Sequence, residues 1–288
     1  MKSPNQNIIP YVVFMLISPI IGLFNGLIQK KLSLHNKKWI LIVFSLLFVS
    51  VIHWPSESAD GKSNLTIIKE NYQNVSFEVF IQDLKSILTF SGRTEYQDPY
   101  AHILAMISGS IFGIPFLAIF ISGFIYAYCF WGSIIKMIQT YPKQRYSWLF
   151  IGFFVFFISL KFLHDFQTIR SWTGLWILFF GAISYYTTGN KKYLWLFFIP
   201  PFVHFMYFLI ALPSWIVLYF GNRALIYSIV FTLSFFTTII NPSILLNLLR
   251  SAPLGADKVQ SYLVEDELEK GKNIGYKKIT RHRFYDIL

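Results

Sequence analysis

The chain has 288 residues, of which 55% are hydrophobic and 19% aromatic against only 14% charged, and its mean hydropathy is +0.51. A soluble domain carries about 25% charged residues, so this deficit excludes a soluble enzyme, a disordered chain and a secreted disulfide scaffold. The net charge of +11 does not imply nucleic acid, because the basic residues are spread among the ends of apolar runs, where they orient the protein and meet anionic headgroups, and no basic, aromatic-interleaved groove is visible.

An unpaired charge at the centre of a spanning helix costs about 2.5 to 3.5 kcal/mol on the mildest scale, so uncharged intervals mark candidate crossings. They are 3–29, 39–56, 99–135, 146–160, 171–190, 193–222 and 224–249. At about 20 residues per crossing the expected fold is an all-α, polytopic integral membrane protein with about seven to eight transmembrane helices. Residues 1–249 form the membrane domain and 250–288 a polar C-terminal tail.

The first interval reads as one retained helix, since its apolar core runs to Ile28, too long for the apolar stretch of a signal peptide. Lys30, Lys31, Lys37 and Lys38 then hold the first connection inside, which puts the N-terminus outside. A crossing at about 39–54 leads to the outer segment 55–98, with seven acids and four bases. Within it Phe77, Phe80, Ile81, Leu84, Ile87 and Leu88 recur at spacings of three and four, the pattern of an amphipathic helix on the outer leaflet. The 37-residue interval 99–135 is too long for one helix and too short for three. It divides into an interfacial helix at about 101–112, ended near Gly113 and Pro115, and a full span at about 116–135. Lys136, Lys143 and Arg145 return the chain inside. Crossings at about 146–162 and 171–188 flank an outer turn holding Lys161, His164, Asp165 and Arg170, and Lys191 and Lys192 mark the next inner turn. The interval 193–222 contains Pro200, Pro201 and Pro213 and is either one tilted helix or two short ones meeting near Pro213. Two would place Arg223 inside and leave the tail outside. In that tail Glu265, Asp266 and Glu267 read as a solvated face.

Several chemistries have no support. There is no HExxH, no cysteine cluster and no histidine pair at ligand spacing, so no metal is implied. No phosphate-binding glycine loop, dinucleotide fingerprint or serine elbow is present, and no cofactor is called for. What remains is isolated polar groups in or beside apolar helices, each a candidate because burial is expensive. Arg170 opens an apolar run at the outer surface, where it serves either as a snorkelling anchor or as a phosphate clamp, for which its planar fork is suited. His204 lies in Pro200-Pro201-Phe202-Val203-His204-Phe205, where it either satisfies backbone groups freed by the prolines or takes part in chemistry. Arg93, Glu95 and Asp98 precede the interfacial helix and Asp60 follows Trp54-Pro55. A carboxylate here would act as base if buried beside an acceptor hydroxyl.

The run from Arg170-Ser171-Trp172-Thr173-Gly174 through Gly189-Asn190-Lys191-Lys192-Tyr193 to Val203-His204-Phe205 resembles the EpsG-like branch of the Wzy-type polysaccharide polymerases. An arginine opens a helix, a Gly-Lys-Lys inner turn follows, and the next helix carries a His-Phe pair. Arg170 and Gly181 fit the family's Arg-x10-Gly spacing, and Ser58-Ala59-Asp60 and Pro99-Tyr100-Ala101-His102-Ile103-Leu104 fit its layout. The likeness spans about residues 8–249. It implies polymerisation of undecaprenyl-pyrophosphate-linked repeat units into a capsule, exopolysaccharide or O-antigen at the outer face of the bacterial inner membrane. The implied partners are the lipid-linked glycan, the bilayer and other polysaccharide-assembly proteins. By carry-over, Arg170 holds pyrophosphate and His204 lies near the reacting centre. Position alone adds Asp60 and Asp98 as catalytic candidates and Arg93 and His164 as substrate-binding ones. Family members continue past a loop like 250–288 into further helices, so the likeness also implies a C-terminally truncated chain. Two other classes stand beside this reading: a transporter or flippase of lipid-linked glycans, and a non-catalytic membrane subunit. A transporter calls for helix breaks at matching places in two halves, and Pro115 does not pair that way with Pro200 and Pro201.

Overall fold

The computed structural model describes residues 7–48, 60–89, 96, 98–140, 147–149, 152–153, 155–156, 170–205, 207–221 and 223–236. Every regular element among them is helical. Two units are distinguished, residues 1–87 with 93–215, and residues 88–92 with 216–288.

The first apolar interval is not one helix. It forms α1 (Ile9–Ile17) and α2 (Pro19–Ile28), broken at Ser18, which is extended at φ −143° and ψ 90°. The cause is Pro19: its ring disfavours helical geometry at the preceding residue, while Pro itself suits the first position of a new helix. The two arms fold back on each other as a hairpin. A Cβ on Gly22 would stand 2.6 Å from the Met15 Cα, so only glycine permits the approach. At the open end Gln29 Nε2 donates to Tyr11 Oη at 3.2 Å, although 18 residues of continuous helix would separate them by about 27 Å. Lys37 Nζ closes the hairpin by donating to the Leu27 carbonyl at 2.7 Å, a cation on the free carbonyls of a helix end. Arms of nine and ten residues reach only about 14 to 15 Å each, half of a bilayer core.

Helix α3 (Leu34–Leu47) starts at Ser33, whose Oγ accepts from the Asn36 amide at 3.2 Å, and so begins before the crossing expected at 39–54. After it come α4 (Asp60–Asn71) and α5 (Phe77–Thr89). The latter is the amphipathic helix expected from the spacing of Phe77 to Leu88: Phe80 and Ile87 are buried, while Phe77, Ile81 and Leu88 are exposed.

The interval 99–135 divides as expected. Helix α6 (Pro99–Ala105) passes into a wider π-helical turn, Met106–Ile111, then turns at Gly113 (φ +66°) before α7 (Phe116–Thr140). The wide turn sits where Gly109 lets the Tyr72 carbonyl approach, since a Cβ there would lie 2.8 Å from that oxygen, and Ser110 Oγ donates to the same carbonyl at 2.6 Å. At 25 residues α7 spans about 37 Å, and it is the one helix among the described residues long and apolar enough to cross a membrane. The larger number of crossings is not reached by these residues.

The core forms where α7 meets α8 (Ser171–Thr188). Tyr126 and Phe130 of α7 are fully buried, and Trp176 of α8 stands edge-on to Phe130 with ring centres 4.5 Å apart. Gly132 allows the contact, because a Cβ there would sit 2.7 Å from the Phe180 ring. Trp131 Nε1 donates to Ser45 Oγ at 2.8 Å and joins α3 to the same core. Helix α8 ends at Gly189, left-handed at φ +66°, where glycine bears no steric cost.

The interval 193–222 is neither of the two arrangements expected. A 3₁₀ segment (Lys191–Phe197), the single turn α9 (Pro200–Val203) and α10 (Tyr207–Phe220) follow one another, with breaks before Pro200 and at His204. Pro213 lies inside α10, so the anticipated meeting point is not where the chain divides. In the second unit, α11 (Ala224–Phe236) follows a turn at Gly221, whose carbonyl accepts from Tyr227 Oη. The tail 250–288 and most of 146–162 lie outside the described residues.

Candidate functional site

Asp98 is the residue before Pro99, at the N-cap of α6, yet it makes no cap hydrogen bond to its own helix. Pro99 holds the first helical position and the Asp98 carboxylate turns elsewhere. Its Oδ2 accepts from Arg170 Nη1 at 2.9 Å, and its Oδ1 accepts from the Phe205 backbone N–H at 2.9 Å. The Asp98 side chain is 1% exposed and that of Arg170 27%. The carboxylate thus ties three segments together across 72 and 107 residues of sequence.

Each partner is placed by a local necessity. Arg170 is the N-cap of α8, so its guanidinium stands at the positive end of that helix dipole, an unfavourable place for a cation. Asp98 supplies the opposing charge. Phe205 follows the break after Pro200–Val203, and a break leaves an amide that needs a buried acceptor. Asp98 is that acceptor, not the His204 side chain that the sequence offered. The His204 backbone instead continues the chain of turns: its N–H donates to the Pro200 carbonyl at 2.9 Å and its carbonyl accepts from the Tyr207 amide at 2.9 Å.

His204 Nδ1 stands 3.8 Å from Asp98 Oδ1, beyond hydrogen-bond reach, with 18% of the side chain exposed. Its ring lies edge-on to Tyr207, at 6.2 Å between centres. Tyr207 Oη donates to the Ser171 carbonyl, one residue beyond Arg170. Its ring rests on Gly174, where a Cβ would approach Cε2 to 2.6 Å. Tyr207 and Gly174 therefore pin the start of α10 to the first turn of α8. Sequence reasoning missed both, although Gly174 one turn after an arginine that opens an apolar run is a packing signal.

Three of the six expected site residues, Asp98, Arg170 and His204, are thus brought together. Asp60 begins α4, and its side chain lies outside what is described, as do Arg93 and His164 entirely. His102, one turn after Asp98, belongs to a different, structural arrangement. It is fully buried, stacks on Phe80 with ring centres 4.8 Å apart, and takes the Tyr72 hydroxyl at 2.6 Å on Nδ1. Its Nε2 faces the Phe80 carbonyl at 3.1 Å. A carbonyl only accepts, so Nε2 carries a proton and donates to the Phe80 carbonyl, while Nδ1 shares a hydrogen bond with the Tyr72 hydroxyl. This fastens α4 and α5 to α6, behind Asp98.

The chemistry open to the cluster follows from charge and exposure. A fully engaged, buried carboxylate orients its partner and cannot meet a bulky acceptor. A guanidinium more than a quarter exposed, at the N-terminus of an 18-residue helix, is suited to a phosphate-bearing ligand. His204, with 18% of its side chain exposed, is the neighbouring imidazole.

Residues 77–285 match the model of the EpsG family, a stretch that includes Asp98, Arg170 and His204. No curated protein and no solved structure matches the chain.

Proposed function

The chain belongs to the EpsG family, which points to a membrane protein of polysaccharide biosynthesis, and we propose that it polymerises polyprenyl-pyrophosphate-linked repeat units into a surface polysaccharide. The reaction takes place at the outer face of the bacterial inner membrane, where the carrier presents its headgroup. The observation that supports this reading is the guanidinium of Arg170, held by buried Asp98 at the N-terminus of α8.

In the proposed step an acceptor sugar hydroxyl forms a bond to the anomeric carbon of the donor glycan. The bond from that carbon to the carrier's pyrophosphate oxygen breaks, and the leaving oxygen gains a full negative charge. Arg170 binds the pyrophosphate and gains interaction energy as that charge develops, which is how a fixed donor lowers a barrier rather than merely binding substrate. The hydroxyl proton passes to the His204 imidazole. Asp98 acts on the guanidinium, not on the sugar: both its oxygens are engaged and it is 1% exposed, so it is a positioning residue.

The test is replacement of Arg170 in cells that depend on this chain for polymer. Arg170→Lys keeps the charge but not the fork. Losing one charge-stabilising donor costs about 10² to 10³ in rate, so polymer should fall by that order, with lipid-linked single repeat units accumulating on the outer leaflet. Normal polymer from Arg170→Ala at normal membrane abundance would sink the proposal. Accumulation confined to the inner leaflet would instead identify a flippase.

A further inference from the structure

A second concentration of charge lies beside Phe180 of α8, apart from Arg170. Lys38 of α3 places Nζ 3.9 Å from the centre of the Tyr128 ring and 5.7 Å from that of Trp39. Lys136 of α7 places Nζ 5.0 Å from Tyr193 and 5.8 Å from Phe180. The rings themselves form one chain: Tyr128 meets Phe180 edge-on at 5.8 Å and Phe180 meets Tyr193 edge-on at 6.2 Å. Two cations from separate helices are thereby held on a continuous aromatic wall, rigid because Gly132, one turn before Lys136, seats Phe180.

Both lysines are half-buried, and no carboxylate among the described residues pairs with either. The sequence explains this: no acid occurs between Asp98 and Asp165 or from there to the tail. Burial lowers the affinity of Lys38 for its proton, and the nearby Lys136 charge acts in the same direction, while Cys129 and Tyr193 act against it. Aromatic faces attract cations but carry no net charge, so among the described residues no opposite charge offsets the pair. Lys37 beside it is committed to the Leu27 carbonyl, and Lys191 and Lys192 are exposed on the following turn. Phe180, where the aromatic wall meets α8, lies ten residues beyond Arg170, about 15 Å along the helix axis.

We propose that Lys38 and Lys136 form a binding site for the phosphate of an anionic ligand, beside Phe180 of α8 and apart from Arg170. The ligand is a phosphodiester lipid headgroup or a free phosphate, and the two share the same recognition. The site does not depend on the reaction proposed for the Arg170 end.

The experiment uses the full chain in a non-ionic detergent and follows its thermal unfolding midpoint. Three probes are titrated separately: phosphatidylglycerol, phosphatidylcholine and inorganic phosphate. Phosphatidylglycerol should raise the midpoint and phosphatidylcholine should not. Each lysine removed should weaken the half-saturation about fivefold, the loss expected for one basic residue at an anionic surface, and K38Q/K136Q about 25-fold. K38R/K136R should keep the response, and so should K191Q/K192Q. Should the double glutamine variant not accumulate, K38Q and K136Q singly give the same reading. The same lysine-dependent shift with inorganic phosphate alone would assign the site to a soluble phosphate. No response to phosphatidylglycerol or phosphate, or an equal loss in K191Q/K192Q, would overturn the proposal, the latter by showing only diffuse surface charge.

Discussion

Replacing Asp98 by Asn isolates the charge from the shape. The amide oxygen can still accept from the Phe205 N–H, now 2.9 Å from Oδ1, while the position facing Arg170 Nη1 loses its negative charge. A hydrogen bond between charged partners is worth about 1.5 to 3 kcal/mol net. The low end applies to Arg170, which is 27% exposed and regains some hydration, so about 2 kcal/mol is expected. For a protein of 288 residues that corresponds to about 3 °C in the melting midpoint. Asp98→Ala removes the acceptor of the part-buried Phe205 amide as well, so it should exceed Asp98→Asn by about 1 kcal/mol. Thermal unfolding of Asp98→Ala, Arg170→Ala and the Asp98→Ala/Arg170→Ala double variant completes a double-mutant cycle with the wild type. Residues sharing one buried interaction should show coupling of about 0.5 to 3 kcal/mol. Polymer yield at equal membrane abundance should fall with the loss of Arg170 orientation. Wild-type midpoint and yield in Asp98→Asn, or strict additivity in the cycle, would refute the positioning role.

Gly174→Ala drives a methyl group into the Tyr207 ring and should cost about 1 to 3 kcal/mol in thermal unfolding. Gly152→Ala, where nothing lies within 4 Å, should cost much less. Tyr72→Phe removes the hydroxyl bonded to His102 Nδ1 and should destabilise by about 1 to 3 kcal/mol, measured the same way. A similar loss in Phe77→Ser, on the exposed face of α5, would show that the buried bond has no special weight. Cysteines placed at Asn7 and Lys30 in a Cys129→Ala background should react with an impermeant thiol reagent from the same side of the membrane. Labelling from opposite sides would restore a single spanning helix in place of the α1–α2 hairpin.

Much of the helical layout was legible because it depends on local pattern. The turn at Gly113 and Pro115, the amphipathic α5, and α8 between Arg170 and Gly189 all follow from residues within a few positions of one another. The hairpin was missed because hydropathy runs unbroken from Ile8 to Ile28, and a count of apolar residues does not register that Pro19 constrains Ser18. The breaks around Pro200 and His204 were anticipated only in part: the prolines signalled a disruption, but the partner that stabilises it lies 107 residues away. The Asp98–Arg170 pair has no local signature at all. A faint one existed in the charge pattern, since each is the last charge before a long uncharged interval on the same expected side of the membrane. That places them at one membrane depth, and packing brings them into contact.

The most direct measurement of the central claim is polymer formation by the purified chain in liposomes loaded with a polyprenyl-pyrophosphate-linked repeat unit. Products longer than one repeat are expected, with release of the polyprenyl pyrophosphate carrier in equal number to the new linkages and loss of both in Arg170→Ala. Single repeats that remain unjoined with correctly folded wild-type chain, or joining that proceeds equally well in Arg170→Ala, would contradict it.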